Sequence, residues 1–264
     1  MGFTLGDIIV DRPQIAWAEN SNEDILYTLT QLADSTLDTT AESKDATDAN
    51  GTLIKRFYKG KTGTYSANNA MVNLNVWASM AGVLPKIAGA GDAAIVMPKM
   101  ITVKASAKEV TLKGVVEGTV KVYGMSANGN RGEEYTLSEA ASTTNYALAG
   151  EKLTLPTGTD EVQFCIRYKK NMEKGALIQN RADKFPGTIK LYIQVLAVDP
   201  CYPDTLRLGT IEIPSFQPSP ETSISLTTDA QLEYKGDLQV DYCSVDKVLY
   251  NFYWNEEDVV EDDD

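Results

Sequence analysis

The sequence contains no histidine in 264 residues, which removes the usual general base at neutral pH and the commonest metal ligand. An enzyme without histidine depends on paired carboxylates, lysine or cysteine, and none of these forms a convincing arrangement here. No stretch approaches the roughly 20 apolar residues of a membrane helix. We therefore predict a protein that is not an enzyme, with no catalytic residues, no cofactor, no metal site and no membrane association.

Cysteine is also scarce. Cys165, Cys201 and Cys243 are far apart, form no CxxC pair and have no histidine partner, which argues against a zinc site or a Cys–His nucleophile. They are predicted to be small apolar residues in or near strands. The first 13 residues lack a basic region followed by a long apolar run, so no signal peptide is expected. The predicted place of synthesis and assembly is a reducing cytoplasm.

The charge is acidic and unevenly distributed. The 24 basic and 37 acidic residues give a net charge of −13, and the segment Glu256–Asp264 contains seven acids and no base. Without this segment the charge is 24 − 30 = −6, which argues against a nucleic-acid reader because phosphate binding needs basic patches. The segment lacks the alternating ligands and central glycine of an EF-hand, so a disordered or surface-draping tail is predicted rather than a calcium site.

Two other candidate sites are weak. The acidic pairs Glu133-Glu134 and Glu256-Glu257 lie in a turn-rich segment and at the acidic end, whereas acid catalysis needs one carboxyl buried beside an ionised one. The segment Gly82–Gly91 lacks the G-K-[ST] ending of a phosphate loop and follows a predicted helix instead of a strand. It is predicted to be a flexible loop.

The first hundred residues predict two or three strands of a meander. Asp48–Gly51 is a strong turn signal, because Asn-Gly supplies the positive φ angles that a tight hairpin requires. It joins threonine-rich residues 35–43 to residues 52–66. Upstream, Asp24–Ala33 places apolar residues at helical spacing.

One helix is predicted at about residues 67–81. Ser66 or Asn68 is its candidate N-cap, and Gly82 is its stop signal. An apolar stripe at helical spacing predicts a face packed against a sheet rather than a ligand site. The stripe consists of Met71, Leu74, Trp77, Ala78 and Ala81.

Residues 101–170 consist of short alternating runs separated by Gly, Asn and Ser turns, as in a small β-sandwich. Residues 1–100 and 171–264 then form a discontinuous core. Within residues 162–168, one predicted face carries Val162, Phe164, Ile166 and Tyr168, and the opposite face carries Gln163, Cys165 and Arg167.

The last part of the chain, residues 171–264, has longer strands. One predicted strand alternates Ile189, Leu191, Ile193 and Val195 against Lys190, Tyr192 and Gln194, and in another Val248, Tyr250, Phe252 and Trp254 form one face. Prolines are expected between strands or at strand ends, where a missing amide donor is tolerated, namely at positions 200, 203, 214, 218 and 220. The sequence as a whole predicts a mainly β fold with one α-helix.

Three features together resemble bacteriophage virion proteins, and specifically major tail tube proteins. The first is DANGTLIKRFYKGKTGTYS followed by NNAMVNLNVWASMAG, a strand–strand–helix order similar to a tube-protein core. The second is the stretch from EGTVKVYGMSANG to EVQFCIRY, which resembles the Ig-like inserts of phage structural proteins. The third comprises FPGTIKLYIQVLAVDP and PSFQPSPETSISLTTDAQLEY before the final strand and acidic tail.

The resemblance implies a β-sandwich or barrel-like tail-tube core with one α-helix and an inserted or appended Ig-like β-sandwich at residues 101–170. The implied function is structural: the chain self-assembles into stacked rings, with other tail or head proteins as partners in the virion. DNA passes through without specific binding, because an acidic lumen repels phosphate. The predicted arms between subunits are residues 1–20, the 40–60 hairpin and the C-terminal segment.

Two rival functions use similar β-sheet parts. A capsid decoration or auxiliary head protein would bind a shell instead of itself, so self-polymerisation separates it from a tube protein. A bacterial surface or carbohydrate-binding module would present exposed aromatic residues to sugars, and the absence of a secretion signal counts against it.

Overall fold

The computed structural model describes residues 6–89, 94–224, 227–228, 231–240 and 245–259. The chain divides into two compact units: unit 1 is Met1–Pro85 with Ile178–Asp264, and unit 2 is Lys86–Leu177. The sequence places the corresponding boundaries at residues 100 and 171, whereas unit 2 begins at Lys86 and ends at Leu177.

Unit 1 contains eight strands and the helix. Its elements are β1 (Ile9–Glu19), β2 (Ile25–Leu29), β3 (Leu32–Thr47), β4 (Leu53–Asn69), α1 (Leu74–Met80), and, after unit 2, β14 (Ile189–Asp199), β15 (Tyr202–Pro218), β16 (Leu232–Leu238) and β17 (Asn251–Val259). They form one antiparallel sheet in the order β2-β1-β14-β15-β16-β4-β3, and β17 pairs with the middle of β15. The curved sheet is a half-barrel, as expected of a barrel-like core.

Unit 2 contains the intervening strands. They are β5 (Lys86–Ile87), β6 (Ile95–Lys104), β7 (Glu109–Thr111), β8 (Lys121–Met125), β9 (Arg131–Ser138), β10 (Asn145–Ala149), β11 (Lys152–Thr154), β12 (Gln163–Met172) and β13 (Ala176–Leu177). Seven strands follow the order β6-β12-β8-β9-β10-β11-β7, and β5 pairs with β13. Because Lys86 lies opposite Leu177, the chain enters and leaves unit 2 on adjacent strands. Unit 2 is thus inserted between α1 and β14.

The core of unit 1 is centred on an aromatic cluster. Tyr234, Phe216 and Tyr65 pack with ring centroids 5.7 to 6.3 Å apart, and Tyr27 meets Tyr234 edge to face. The predicted alternation of β14 is confirmed: the four apolar residues of one face, Ile189, Leu191, Ile193 and Val195, are all buried. Gly236 is required at this point, because a Cβ atom there would lie 2.5 Å from the Phe216 ring.

The helix is shorter than predicted. It spans Leu74–Met80 instead of residues 67–81, because residues up to Asn69 continue β4 and pair with β16. Its N-cap is Asn73, and not Ser66 or Asn68: the Asn73 side chain accepts hydrogen bonds from two backbone amides and donates to the Thr28 carbonyl at 3.0 Å.

The end of the helix is as predicted. Gly82 adopts a φ of +65°, and its amide donates to Ser79 while the Val83 amide donates to Ala78, which is a Schellman motif. The predicted apolar stripe is wrong in part. The buried helix residues are Val76, Ala78 and Met80, with Ala81 also buried, whereas Met71 and Leu74 are exposed and Trp77 is half-buried.

Three other expectations are corrected. Asp24–Ala33 is not helical, because Ile25–Leu29 forms β2 and pairs with β1. Pro214 lies inside β15, where the register shifts between Ile189 and Leu191; an irregularity of this kind tolerates a residue without an amide donor. The loop at residues 82–91 contains β5, and its last two residues lie outside the described part of the chain.

The core of unit 2 lies on one side of β12. Phe164, Ile166 and Tyr168 are buried as predicted, whereas Val162, assigned to the same face, is 62% exposed and precedes the strand. Tyr135 packs edge to face on Phe164 at 5.5 Å. The parallel pairing of β9 with β10 joins a four-stranded part of the sheet to a three-stranded part. Both parts contribute to one buried cluster.

Candidate assembly surfaces

The longest exposed feature of unit 1 is the hairpin of β3 and β4. Residues 63–69 of β4 lie between β3 and β16, whereas residues 53–62 pair with β3 alone among the described residues. We call residues 40–62 the arm. Ten residues of extended chain reach about 33 Å, so the arm extends well beyond the sheet that anchors it. The predicted hairpin turn at Asp48–Gly51 is confirmed.

The tip of the arm is ordered by Asp48. Its Oδ1 accepts hydrogen bonds from the amides of Asn50 at 2.9 Å and Thr52 at 2.8 Å. These backbone hydrogen bonds, led by that of Thr52, hold the pKa of Asp48 below its usual value. Gly51 supplies the positive φ of 84° that the turn requires. The arm is therefore a preformed hairpin with a fixed turn.

The arm exposes large apolar side chains on both faces. Leu53, Ile54, Phe57 and Tyr58 are 51%, 69%, 52% and 69% exposed. Apolar surface of this extent on a projecting element is typical of a contact with another molecule. The alternation that marks a half-buried strand is absent from residues 53–58, and this absence is the sequence signal for an arm with two exposed faces.

The two faces of the arm differ in charge. On one face, Phe57 lies opposite Lys44, and the Lys55 ammonium lies 5.1 Å from the Phe57 ring centroid. On the other, Arg56 makes two hydrogen bonds to Asp45, at 2.7 and 3.0 Å. This pairing neutralises the second face. The arm contains five basic and three acidic residues, a charge of +2 in a chain of net −13.

The two units differ strongly in charge. Unit 1 contains 12 basic and 27 acidic residues, a charge of −15, and unit 2 contains 12 basic and 10 acidic residues, a charge of +2. Seven of the acids of unit 1 belong to Glu256–Asp264, of which residues 260–264 lie outside the described part of the chain. The positive arm thus extends from the acidic unit.

The other predicted arms have different structures. Residues 9–19 form β1, which lies between β2 and β14 with Ala16 and Ala18 fully buried, so this part of residues 1–20 is not a free arm. Residues 1–5 lie outside the described part of the chain. The C-terminal strand β17 pairs with β15 along one side.

Strand β17 carries an exposed aromatic edge. The Tyr253 hydroxyl donates to Glu212 at 2.6 Å, and the Asn251 amide donates to the same carboxylate at 3.0 Å. These hydrogen bonds, with that from Tyr253 contributing most, lower the pKa of Glu212. Of the predicted face Val248–Tyr250–Phe252–Trp254, Val248 and Trp254 are half-buried and Tyr250 and Phe252 are exposed. The strand end is therefore held by polar contacts, with aromatic surface left exposed.

A cavity of about 380 Å³ lies beside α1 in unit 1. Its walls are mainly apolar and include Tyr27, Ala78, Val83 and Ile189. Leu84 and Phe185 line it and are 87% and 69% exposed. The lining contains no Asp, Glu, Lys, Arg or Cys side chain, and its ionisable group is the Tyr27 phenol, whose pKa burial raises to about 12.

The described residues do not bring the acidic pairs and cysteines considered from the sequence together into one site. Glu134 is exposed and pairs with Lys121 and Arg131, so it is not the buried carboxyl that acid catalysis needs. The side chain of Glu256 lies outside the described residues. Cys165 is buried in β12, Cys201 is exposed in a turn, and Cys243 lies outside the described residues. Within the described chain, no group of three His, Cys, Asp or Glu residues could hold a metal ion.

The described helix is not long and apolar enough to cross a membrane. The prediction that the chain has no catalytic residues stays a prediction.

Comparison with known proteins gives one family. The YomU/Tube protein family matches residues 7–242, which is most of the chain and includes both units. No curated protein matches the chain. Among solved structures, the chain is similar to the group B streptococcus pilus 2b backbone protein at 12% identity, covering 84% of this chain and 80% of that one. The TM-score of 0.18 is too low to inform the fold or function.

Proposed function

The chain belongs to the YomU/Tube protein family, which supports a phage-related structural protein, and on this basis we propose that it polymerises into a tail tube. In this proposal, copies form rings, and stacked rings form a hollow tube through which the phage genome passes. The tube is part of the virion, is assembled in the host cytoplasm and contacts other tail or head proteins.

The arm carries the proposal. Its large apolar residues are more than half exposed in the described fold, and its length lets it reach beyond the sheet that anchors it. Burying a side chain such as Phe57 in a neighbouring copy stabilises the contact by about 1.5–3 kcal/mol. Repeated around a ring, such contacts add up to the large interfaces of obligate assemblies, several thousand Å² in area.

The charge distribution supports the same function. Phosphate is repelled by carboxylates, and the excess of acid is concentrated in unit 1, which also provides the sheet. We expect the wall that faces the lumen to come from unit 1. Unit 2 is then an Ig-like domain that the tube itself does not require.

The test is a chain with a shortened arm. Thr40 and Thr62 lie opposite each other on β3 and β4, with their hydroxyl oxygens 3.0 Å apart. Replacing residues 41–61 by Asn-Gly joins them through a two-residue hairpin turn and leaves the anchored part of the sheet intact. We expect wild-type protein to form tubes in negative-stain images and the shortened chain to stay a folded oligomer or monomer without tubes.

Two outcomes would overturn the proposal. The first is a shortened chain that polymerises as well as the wild type. The second is a wild-type chain that stays monomeric at high concentration yet coats empty capsids, which would assign the protein to capsid decoration. Circular dichroism and the melting temperature of the shortened chain verify that the fold is retained.

A further inference from the structure

The outward face of unit 2 is strongly basic. Strand β12 defines this face: Phe164, Ile166 and Tyr168 point into the core, so the alternate residues Arg167 and Lys169 point outward and are exposed. Neighbouring strands in register add more basic side chains on the same side. We call this set the basic face: Lys104, Lys121, Arg131, Arg167 and Lys169.

The acid content of the basic face is low. Of the residues that strand pairing places on this side, one is acidic, Glu134, so five bases and one acid give +4. Glu134 lies 3.1 Å from the Lys121 ammonium and 3.7 Å from the Arg131 guanidinium. Arg131 also lies over the Tyr123 ring at 4.1 Å. This network fixes one end of the face as a charged, partly aromatic platform.

The remaining bases are available to a ligand. Lys104, Arg167 and Lys169 make no salt bridge with any carboxylate in the described part of the chain, and all three are exposed. Like charges held on adjacent strands repel one another, so an anionic partner would stabilise the face. The sheet thus offers about 15 Å of positive surface across four strands.

The chain itself contains a matching anion. Glu256–Asp264 has seven acids and no base, and the last described residue, Val259, leaves five further residues beyond β17. Glu256–Val259 are the end of β17, and the five residues beyond them reach about 17 Å when extended, about the width of the basic face. Each copy of the chain has one acidic segment and one basic face, so every segment can find a face of opposite charge.

We propose that the basic face of unit 2 binds the acidic segment Glu256–Asp264 of a second copy of the chain. This contact is separate from the arm contact and does not require a tube. The contact depends on attraction between exposed charges, which salt screens. It should therefore weaken above about 0.1 M salt, where the Debye length falls below about 10 Å.

The first experiment measures the contact with a peptide. A chain ending at Val259 keeps β17 and lacks the last four acids; into it we titrate a fluorescent peptide of residues 256–264 and follow its anisotropy. We expect saturable one-to-one binding that weakens at least about tenfold between 50 and 300 mM NaCl. Combined Lys121→Glu and Arg167→Glu brings the basic face to zero net charge and should abolish binding.

The matched control makes the same charge change elsewhere on unit 2. Lys113 and Lys174 line a separate cleft, and combined Lys113→Glu and Lys174→Glu should leave peptide affinity within about twofold of the parent. Absence of binding to the parent, or equal loss in the control, overturns the proposal. A polyphosphate of matched charge that binds more than tenfold tighter than the peptide would assign the face to a phosphate polymer instead.

The second experiment asks whether the segment comes from another copy. The truncated chain has an intact face, and the Lys121→Glu/Arg167→Glu chain has an intact segment. With residues 41–61 replaced by Asn-Gly in both chains to remove the arm contact, we expect the two to associate when mixed in analytical ultracentrifugation, and each alone to associate less. Peptide binding without association in the mixture would place the contact within one chain and contradict the proposal. Since the peptide assay does not involve tubes, its result is independent of the tail-tube proposal.

Discussion

The phenol oxygens of Tyr27 and Tyr234 lie 2.9 Å apart in the buried core of unit 1. Tyr27 is on β2 at one edge of the sheet, and Tyr234 is on β16, four strands away. The bond therefore spans the concave side of the half-barrel. The Ser79 side chain of α1 also acts on Tyr27 and lowers its pKa against the larger effect of burial, which brings the helix to the same contact, whereas the hydrogen-bond partner of Tyr234 is Tyr27.

Removing either hydroxyl should have unequal effects. Tyr27→Phe leaves the Tyr234 hydroxyl buried without its partner and should lower the free energy of unfolding by about 1–3 kcal/mol. Tyr234→Phe leaves Tyr27 with the Ser79 hydroxyl as an alternative partner and should cost less, about 1 kcal/mol. Urea unfolding measures both, with exposed Tyr58→Phe as a neutral control. A larger loss for Tyr234→Phe would contradict this explanation.

The same pair predicts alkaline unfolding. Burial raises the pKa of Tyr27 to about 12, and burial raises that of Tyr234 well above its usual value. Since the folded state favours the neutral phenols, their stabilisation is fully present below about pH 10 and is lost as pH rises toward 12. For Tyr27 the loss is about 2–3 kcal/mol. The unfolding free energy of the Tyr27→Phe/Tyr234→Phe chain should fall less between pH 9 and 11.5, and an unchanged slope would contradict the assignment.

Local alternation predicted the strands whose partners bury one face. In β14 and β12, apolar and polar residues alternate along the strand itself, so the sequence is enough to predict which face is buried. The start of the helix depends on a distant partner: Gly63–Asn69 remains a strand because Leu232–Leu238 pairs with it. The local helix propensity of the residues near Asn68 does not reveal that pairing, and the tertiary contact overrides the propensity.

The assembly surfaces were harder to predict for the same reason. The turn at Asp48–Gly51 identifies the hairpin, but the length of the arm depends on where β16 stops pairing with β4. The basic face combines side chains from four strands, and the register of β6 and β12 is what places Lys104 and Arg167 on the same face of the sheet. A count of charges along the sequence does not contain this information.

Asn73 should be the residue on which α1 depends most. Asn73→Ala removes the cap of two helix amides and the bond to the Thr28 carbonyl, which should cost about 1–2 kcal/mol. Asn75→Ala, on the exposed side of the same turn, is the matched control and should change stability by less than about 0.5 kcal/mol. Thermal unfolding of both variants decides the point, and equal effects would show that the cap does not stabilise the helix.

Trp77→Ala, at a half-buried position, should lower the free energy of unfolding by less than the roughly 3–5 kcal/mol typical of a core tryptophan.

Unit 2 should be removable without loss of the tube. Ile87 lies opposite Ala176 in the β5–β13 pair, so replacing residues 88–175 by Asn-Gly closes a short hairpin at the junction. Unit 1 keeps its own buried cluster and should fold with tubes intact. Negative-stain images and circular dichroism test this. Insoluble protein would indicate that the core of unit 1 needs unit 2.

The two faces of the arm should contribute unequally to assembly. Phe57 lies with Lys44 and Lys55, whose positive charge complements the −15 of unit 1 in a neighbouring copy. Tyr58 shares the other face with Arg56, which Asp45 neutralises. Attraction should therefore bring the Phe57 face onto the partner. Phe57→Ser should raise the critical concentration for tube formation by at least about tenfold, the effect of losing about 1.4 kcal/mol per contact.

Tyr58→Ser is the matched control, because it removes a similar exposed aromatic residue from the same strand. It should change the critical concentration by less than about threefold, since side chains at a solvated interface edge contribute little. Sedimentation of polymer at a series of protein concentrations measures both variants. Neither residue supports the fold of the monomer, so melting temperatures should stay equal. Equal loss of assembly from the two variants would mean that the arm is buried on both faces, between two neighbouring copies instead of against one.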